Sequence, residues 1–339
     1  MSYSGSYLSI IIVNYRSASL TIDCISSLYK LCVSVPFEII VVNNDSQGGD
    51  KERILHTCKD VLLVQMPYNA GFARANNAGI SAAKGDTILL LNPDTFAIDD
   101  SIGQCYKQLN NSYYLAAGVQ VLDEERHPQI SGNFFIKKGL NHLLPIPYWG
   151  DFIRWLGYST RSKVPNVKVS SEVEEVDWIS GAFLMVKKEA IDKAGLLDED
   201  FFLYAEEVEW CSRLRKYGRL CIFGNLKIVH LEGGVINREQ NTQEKGYYNL
   251  YDKKGLQLMV SNHLRVRKQY GVFWFLFLLL NYTAGVFIFF VCSTVHQLSN
   301  LKTPFKEWVK VKAFFKNVLI LWKLSPLIIR NKPHFYKMF

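Results

Sequence analysis

Short apolar runs separated by mixed polar stretches set the rhythm of the first half of the chain. Leu8–Tyr15 (LSIIIVNY) is continuous enough to be a strand buried on both faces, with Asn14 at its carboxyl end. Ser19–Leu31 follows with helical spacing, its apolar positions at Leu20, Cys24, Leu28 and Leu31. Glu38–Val42 predicts a second strand, ending in Asn43-Asn44-Asp45-Ser46. Val61–Met66 predicts a third, and Thr87–Leu91 a fourth, stopped by Asn92-Pro93-Asp94. Strands alternating with helical stretches predict parallel pairing through right-handed crossovers, hence a nucleotide-binding α/β layer. Residues 101–122 read as a helix and then a strand, Leu115–Leu122.

Past residue 122 the pattern loosens. Residues 123–174 carry Pro145, Pro147 and Pro165 and the aromatics Tyr148, Trp149, Phe152, Trp155 and Tyr158. Such a stretch is either a functional insertion or a surface loop packed on its own rings. Val176–Val186 (VDWISGAFLMV) returns to two apolar strands interrupted by Ser180-Gly181-Ala182, where a glycine lets a ligand approach the backbone. A helix is expected from near Ala205 to near Gly218, a residue suited to the position after a helix. Leu226–Leu231 (LKIVHL) reads as a strand leading to Glu232-Gly233-Gly234. Gly271–Val295 then runs 25 residues without a charged side chain, where about 20 apolar residues suffice to cross a bilayer. After Pro304, Phe305, Trp308, Val311, Phe315, Val318 and Trp322 recur at helical intervals with lysines between them, the pattern of a basic helix lying in a membrane interface. A soluble helix packed on the rest of the chain is the alternative.

Composition narrows the classes. The chain has 339 residues, 49% hydrophobic and 21% charged, enough for a large folded domain with an appendage. Its net charge of +8 fits nucleic acid, anionic lipid or phosphorylated ligands. No nucleic-acid motif accompanies that charge and the lysines concentrate beyond residue 250, which favours lipid. The seven cysteines (24, 32, 58, 105, 211, 221 and 292) are scattered without a CxxC pair, which argues for a reducing compartment and against zinc. The N-terminus shows no charged-then-apolar leader; Leu8–Val13 is too short and opens the fold.

Candidate chemistry gathers in two places. Asn69–Gly79 is rich in glycine, alanine and asparagine, so that backbone and short polar side chains can come close to a ligand. It is followed by the Thr87–Leu91 strand, which leaves Asp94 at a carboxyl end, where open α/β sheets put their chemistry and where one carboxylate suits a divalent cation bridging phosphates. An ordinary polar αβ connection is the alternative. The absence of GxGxxG after the first strand disfavours a dinucleotide dehydrogenase. In the second place, Leu197–Gly218, the adjacent Glu206 and Glu207 point about 100° apart on a helix and cannot share a site. Glu207 shares a face with Cys211 and Leu214, Glu206 with Trp210 and Arg213, so Glu207 is expected to face inward.

Asn69, Gly71, Phe72, Ala73, Asn76, Gly79 and Leu91-Asn92-Pro93-Asp94, with further blocks in the same order over residues 8–232, resemble family 2 glycosyltransferases, in particular their rhamnosyltransferase-like branch. The resemblance implies a GT-A (nucleotide-diphospho-sugar transferase) fold, a Rossmann-like mixed sheet flanked by helices, with C-terminal membrane-associated helices. The catalytic domain would take residues 1–250 and the membrane-associating region 251–339. It implies donor contacts at Asn14, Asn43, Asp45, Asn69, Gly71, Arg74, Asn76 and Asn92, acceptor contacts at Gly181, Ala182 and Glu206, and a general base at Glu207. Asp94 and His230 would hold Mg2+ or Mn2+. The chain departs from the family where aspartate is usual at Asn43 and Asn92, and in having Glu-Glu for Glu-Asp. The implied reaction is inverting transfer of L-rhamnose from dTDP-L-rhamnose to a lipid-linked glycan in bacterial surface polysaccharide synthesis, with no nucleic-acid partner. A UDP-sugar or another dTDP-sugar as donor, and a non-catalytic membrane scaffold of the same fold, are the alternatives. Use of nucleotide-sugars implies the cytoplasmic face of the plasma membrane. A single crossing by 271–295 would put Lys302, Lys306, Lys310, Lys312, Lys316 and Lys323 outside, against the positive-inside tendency, so this segment is expected to dip into or run along the inner leaflet.

Overall fold

A computed structural model describes residues 7–339 apart from 46, 136, 160–165, 168, 171 and 232–249. Ser46, Pro165 and Glu232-Gly233-Gly234 therefore lie outside the described residues, as does the side chain of Tyr158. The chain forms two compact units. One comprises Met1–Phe134, Asn166–Glu199 and Glu206–Asn241; the other comprises Phe135–Pro165, Asp200–Ala205 and Thr242–Phe339.

The strands of the first unit are β1 (Leu8–Asn14), β2 (Phe37–Asn43), β3 (Leu62–Gln65), β4 (Thr87–Leu91), β5 (Thr95–Ala97), β6 (Ala116–Leu122), β7 (Gly132–Asn133), β8 (Asn166–Val167), β9 (Val173–Val176), β10 (Trp178–Ile179), β11 (Phe183–Lys187) and β12 (Leu220–His230). Its helices are α1 (Ala18–Leu31), α2 (Asp50–Thr57), α3 (Gly71–Ala82), α4 (Ser101–Asn110), α6 (Lys188–Ala194) and α7 (Glu206–Leu214); α5 (Trp149–Ser159) belongs to the second unit. The described residues build one nine-stranded sheet in the order β3-β2-β1-β4-β11-β6-β12-β5, with β9 also on β12, and a small sheet β10-β7-β8. β1 is parallel to β2 and β4, as the alternating pattern requires, but β11 lies antiparallel between β4 and β6. The sheet is mixed, and the chain order of its strands does not announce that reversal.

Both faces of the sheet are covered. Leu8, Ile10 and Ile12 of β1 join one core with Cys24, Ile25 and Leu28 of α1 and Ile102 of α4. Ile11 and Val13 join a second core with Ala73 and Ala75 of α3 and Trp210 and Cys211 of α7. A strand buried on both sides has no polar face, which is why β1 reads as an unbroken apolar run. Helix α3 gives no apolar periodicity, because its inward positions are Ala73, Ala75, Asn76 and Gly79. Small residues serve there because the helix lies close to the sheet: a Cβ on Gly79 would sit 2.5 Å from Ile11 Cγ2.

In the second unit a 3-10 turn (Lys137–Leu143) and α5 accompany three long helices, α8 (Lys253–Tyr270), α9 (Val272–Ser299) and α10 (Phe305–Arg330). The Asp252 carboxylate caps α8, accepting from Gly255 N at 2.8 Å. Met259 and Leu264 of α8, Phe275 and Tyr282 of α9, and Phe314 and Leu321 of α10 form the core of this unit. The chain end returns to it: Tyr336 N donates to Asp200 O at 3.0 Å, and Asp200 also pairs with Lys268 at 2.6 Å.

Candidate active site

Strand register decides which residues meet. Asn14 stands beside Asn43, and Ile12 beside Leu91, so the carboxyl ends of β1, β2 and β4 lie on one edge of the sheet. Phe183 opposes Leu91, which brings the Gly181-Ala182 turn to the same edge, and His230 opposes Thr95 two strands further along. The Asn92-Pro93-Asp94 turn is tied in from both sides, Asn92 N to Ala182 O at 3.2 Å and Leu231 N to Asp94 O at 3.0 Å.

At this edge the structure joins Asn92, Asp94 and His230, and adds Gln129. Asp94 Oδ1 is buried and makes no hydrogen bond of good geometry, yet it lies 3.2 Å from His230 Nε2. Asn92 Nδ2 approaches the same nitrogen at 3.5 Å. On the other side of the ring, His230 Nδ1 meets Gln129 Oε1 at 3.2 Å, while Gln129 Nε2 donates to the His230 carbonyl at 3.2 Å. That second bond turns the amide oxygen toward the ring, so Nδ1 is the nitrogen that donates to it, and a cation would be met by the lone pair of Nε2. A lone pair facing a buried carboxylate oxygen is an arrangement that a divalent cation relieves, and one imidazole nitrogen with carboxylate oxygen is a donor set that such an ion accepts. The residues present therefore fit a metal. Among the described residues, Asp123, Glu125 and His127 also come within ligand distance of one another, but Glu125 and His127 are exposed on a turn.

The base- and ribose-side candidates divide. Asn14 is fully buried and its amide is satisfied internally: Nδ2 donates to Asn43 Oδ1 (2.8 Å) and Asp50 Oδ2 (3.0 Å), and Oδ1 accepts from Ser17 and Thr21. Asn43 Nδ2 is likewise engaged by Asp45 O and Gln65 Oε1. These two side chains shape the strand ends and have no donor left for a ligand. Asp45 holds Arg16 Nε at 2.7 Å. Asn44 links the end of β2 to the start of α3, donating to Asn69 Oδ1 and Gly71 O and accepting from Ala70 N at 2.9 Å. Gly71 has φ +78°, a left-handed conformation that glycine adopts without strain. Asn76 donates into its own helix, to Phe72 O, and Arg74 reaches Glu199 O and Tyr68. Asn77 clamps the Leu197–Glu199 segment, donating to Leu197 O and accepting from Leu197 N.

Helix α7 carries the paired glutamates. It begins at Glu206, one residue later than expected, because Tyr204 and Ala205 have φ of +71° and +68°. Two successive non-glycine residues in the left-handed region are rare, and such strain gathers at functional positions. The expected inward face needs correction. Glu206 is the buried member of the pair, at 3% exposure, while Glu207 is half-buried. Trp210 accounts for the rotation: it is fully buried with Nε1 donating to Gly195 O at 2.8 Å, and Glu206, one turn ahead, follows it inward. Glu207 lies against the Gly181 turn, where a Cβ on Gly181 would be 3.7 Å from its Cγ and 3.9 Å from its Cδ. The structure thus sets one reachable carboxylate against the Gly181 turn and another, Asp94, facing an imidazole. Cys211 behind Glu207 is pushed up to about 12 by burial, with the Glu207 and Glu209 charges adding, and Cys24 near the Asp94 turn is raised by burial and then by Asp94. Neither thiol is a nucleophile at neutral pH.

The pattern of apolar runs missed Gln129, Asn44 and Asn77. Asn44 and Asn77 sit in or beside stretches singled out for their asparagines, but Gln129 lies in the irregular segment after β6 and has no periodic or motif signal.

Residues 9–153 match glycosyl transferase family 2. The low-salt glycan biosynthesis hexosyltransferase of Haloferax volcanii is 28% identical over 218 residues, 62% of each chain. The dTDP-rhamnosyl transferase of Shigella flexneri is 26% identical over 242 residues, 67% of this chain and 72% of that one. The match thus spans about three fifths of the haloarchaeal relative's length. A mannosyltransferase from Pyrobaculum calidifontis, solved with GDP-Man and Mn2+, superposes with a TM-score of 0.52 over 94% of this chain and 88% of that one, at 15% identity. That likeness concerns the fold.

Proposed function

Because the chain carries a glycosyl transferase family 2 domain in a GT-A-type mixed sheet, we propose that it is an inverting, divalent-cation-dependent glycosyltransferase. Its donor is dTDP-L-rhamnose, and its acceptor is a lipid-linked glycan in the assembly of a bacterial surface polysaccharide at the cytoplasmic face of the plasma membrane. One observation carries the catalytic part of the reading: at one sheet edge, Asp94 and a tautomer-fixed His230 form a cation-ready pair, and at the same edge Glu207 lies against the Gly181 turn. The rhamnosyl donor is supported by likeness to the Shigella protein, the membrane by α9, which is long and apolar enough to cross one.

Inverting transfer is a single in-line displacement. Glu207 takes the proton of the acceptor hydroxyl as that oxygen attacks the anomeric carbon, and the bond to the nucleoside diphosphate breaks. Its partial exposure leaves the carboxylate reachable by an acceptor. Glu206, at the start of the same helix, is buried at 3% exposure. Gly181 and Ala182 keep the space in front of Glu207 free of side-chain bulk. Asn69 and the Gly71 backbone, braced by Asn44, border the donor side. Asp94 and His230 would hold Mn2+ or Mg2+, which when bound would neutralise the charge developing on the leaving diphosphate. The imidazole ligand favours Mn2+ over Mg2+.

Purified full chain with membranes as acceptor source, offered dTDP-rhamnose beside UDP- and GDP-sugars with Mn2+ and with Mg2+, tests this reading. Transfer from dTDP-rhamnose, faster with Mn2+, is expected. Transfer from a UDP-sugar alone would replace the donor assignment. Nucleotide binding without turnover of any donor would favour a non-catalytic scaffold, for which Asn92 and the Glu206-Glu207 pair are the sequence arguments.

A further inference from the structure

Helix α9 carries two surfaces. Phe275, Leu278, Leu279, Tyr282 and Phe289 are buried in the core of the second unit. The opposite stripe, Phe273, Phe277, Leu280, Phe287, Val291 and Val295, recurs at helical spacing and is exposed, Phe273 at 70% and Phe287 at 69%. At 100° per residue, Asn281 falls on one flank of that stripe and Thr283 and Thr294 on the other. Each flank is occupied. Trp149 of α5 donates to Asn281 Oδ1 at 3.1 Å, while Trp322 and Trp308 of α10 donate to Thr283 Oγ1 at 3.0 Å and Thr294 Oγ1 at 2.9 Å. The stripe is therefore continued on one side by α5, where Trp149, Phe152 and Trp155 stack at 5.5 and 6.0 Å and Trp155 is 62% exposed. On the other side it is continued by α10, whose exposed Phe305, Phe315 and Leu319 are interleaved with exposed Lys306, Lys312, Lys316 and Lys323.

We propose that α5, α9 and α10 form one monotopic face that lies flat in the headgroup region of an anionic lipid leaflet, so that α9 does not cross the bilayer. The pairing of α9 with α10 carries this. The two helices run antiparallel and stay in contact from Trp308 to Trp322, about 20 Å of their length. Whatever depth α9 takes, α10 shares. A crossing would draw Lys312 and Lys316 into hydrocarbon, whereas a flat hairpin buries the rings and leaves the ammonium groups among lipid phosphates. The choice of an anionic leaflet follows from that charge, since Glu307 is the one acidic residue in α10 against five lysines and an arginine. The proposal deepens the membrane part of the proposed function, and its readouts need no sugar, so failure of the transferase reading leaves them standing.

The full chain is floated with vesicles of phosphatidylcholine alone and with phosphatidylglycerol added, at low and high salt. Binding is expected to need the anionic lipid and to fall with salt. The triple variant Lys312→Glu, Lys316→Glu, Lys323→Glu is expected to lose at least about fivefold in affinity per lysine. Phe152→Ser with Trp155→Ser, on exposed positions of another helix, is expected to weaken binding to the same vesicles. Binding indifferent to lipid charge and to all of these changes would overturn the proposal, as would a soluble dimer that vesicles do not dissociate. Sidedness gives an independent check. Leu301, 98% exposed at the α9–α10 turn, is replaced by cysteine and probed with an impermeant maleimide. Labelling above the wild-type level in inside-out membrane vesicles and not in right-side-out ones is expected; the reverse would mean that α9 crosses.

Discussion

For His230 to hold a cation through Nε2, the ring proton must sit on Nδ1, and Gln129 is the residue that directs it there. The two bonds between that amide and the histidine, one to Nδ1 and one to the backbone carbonyl, fix both ring orientation and tautomer. Gln129→Leu removes both and leaves Asp94 in place. It is expected to weaken Mn2+ binding, read by the electron paramagnetic resonance of free Mn2+, about 10- to 100-fold, with thermal stability little changed. Unchanged affinity would mean that the ring is positioned by Asp94 alone. Asn14 and Asn43 illustrate the opposite outcome of sequence reading. Their place at strand ends is legible, but a residue type that suits a ligand equally suits a buried turn, and only the count of donors already engaged separates the two. The Glu206-Glu207 pair shows a similar limit. Spacing on a helix gives relative directions, but the absolute rotation is set by Trp210 and its bond to Gly195, a partner distant from the motif.

Elements were legible in proportion to how much apolar burial they carry. β1, β2 and β4, buried on both faces, stand out as apolar runs. Helix α3 does not, because close approach to the sheet replaces its apolar side chains by Ala, Asn and Gly. Gly79→Val should therefore destabilise the first unit by about 1–3 kcal/mol, the usual cost of overpacking, seen as a lower denaturant midpoint without a change in slope. Helix α8 has a different weakness. His263 is fully buried, with Nδ1 on Met259 O at 2.7 Å and its ring against Tyr282 and Phe275, and burial lowers its pKa to about 4. The folded form stays neutral where the unfolded chain takes up a proton. Stability is accordingly whole above pH 6.5 and is lost as pH falls from there to about 4, by about 3 kcal/mol in all. Denaturation midpoints at pH 7 and pH 5 check this, and His263→Leu should flatten the dependence. Buried His142, held below its ordinary range by burial and by the Arg265 charge, acts in the same direction.

At the scale of the molecule the two units answer different chemical demands. The first puts its polar side chains on one edge of a mixed sheet, and the second exposes a long apolar stripe bordered by lysines. The proposed roles of Glu207 as the base and Asp94 as a cation ligand of a sugar transfer belong to the first. Rhamnosyl transfer from dTDP-rhamnose with Mn2+ is measured for wild type, Glu207→Gln and Asp94→Ala, with nucleotide affinity determined calorimetrically on each. Glu207→Gln is expected to keep nucleotide binding and to lose about 10²- to 10⁴-fold in turnover, while Asp94→Ala is expected to lose both turnover and the Mn2+ dependence of nucleotide binding. Turnover in Glu207→Gln equal to wild type would rule out Glu207 as the base, and Mn2+-dependent nucleotide binding that survives in Asp94→Ala would rule out Asp94 as the cation ligand.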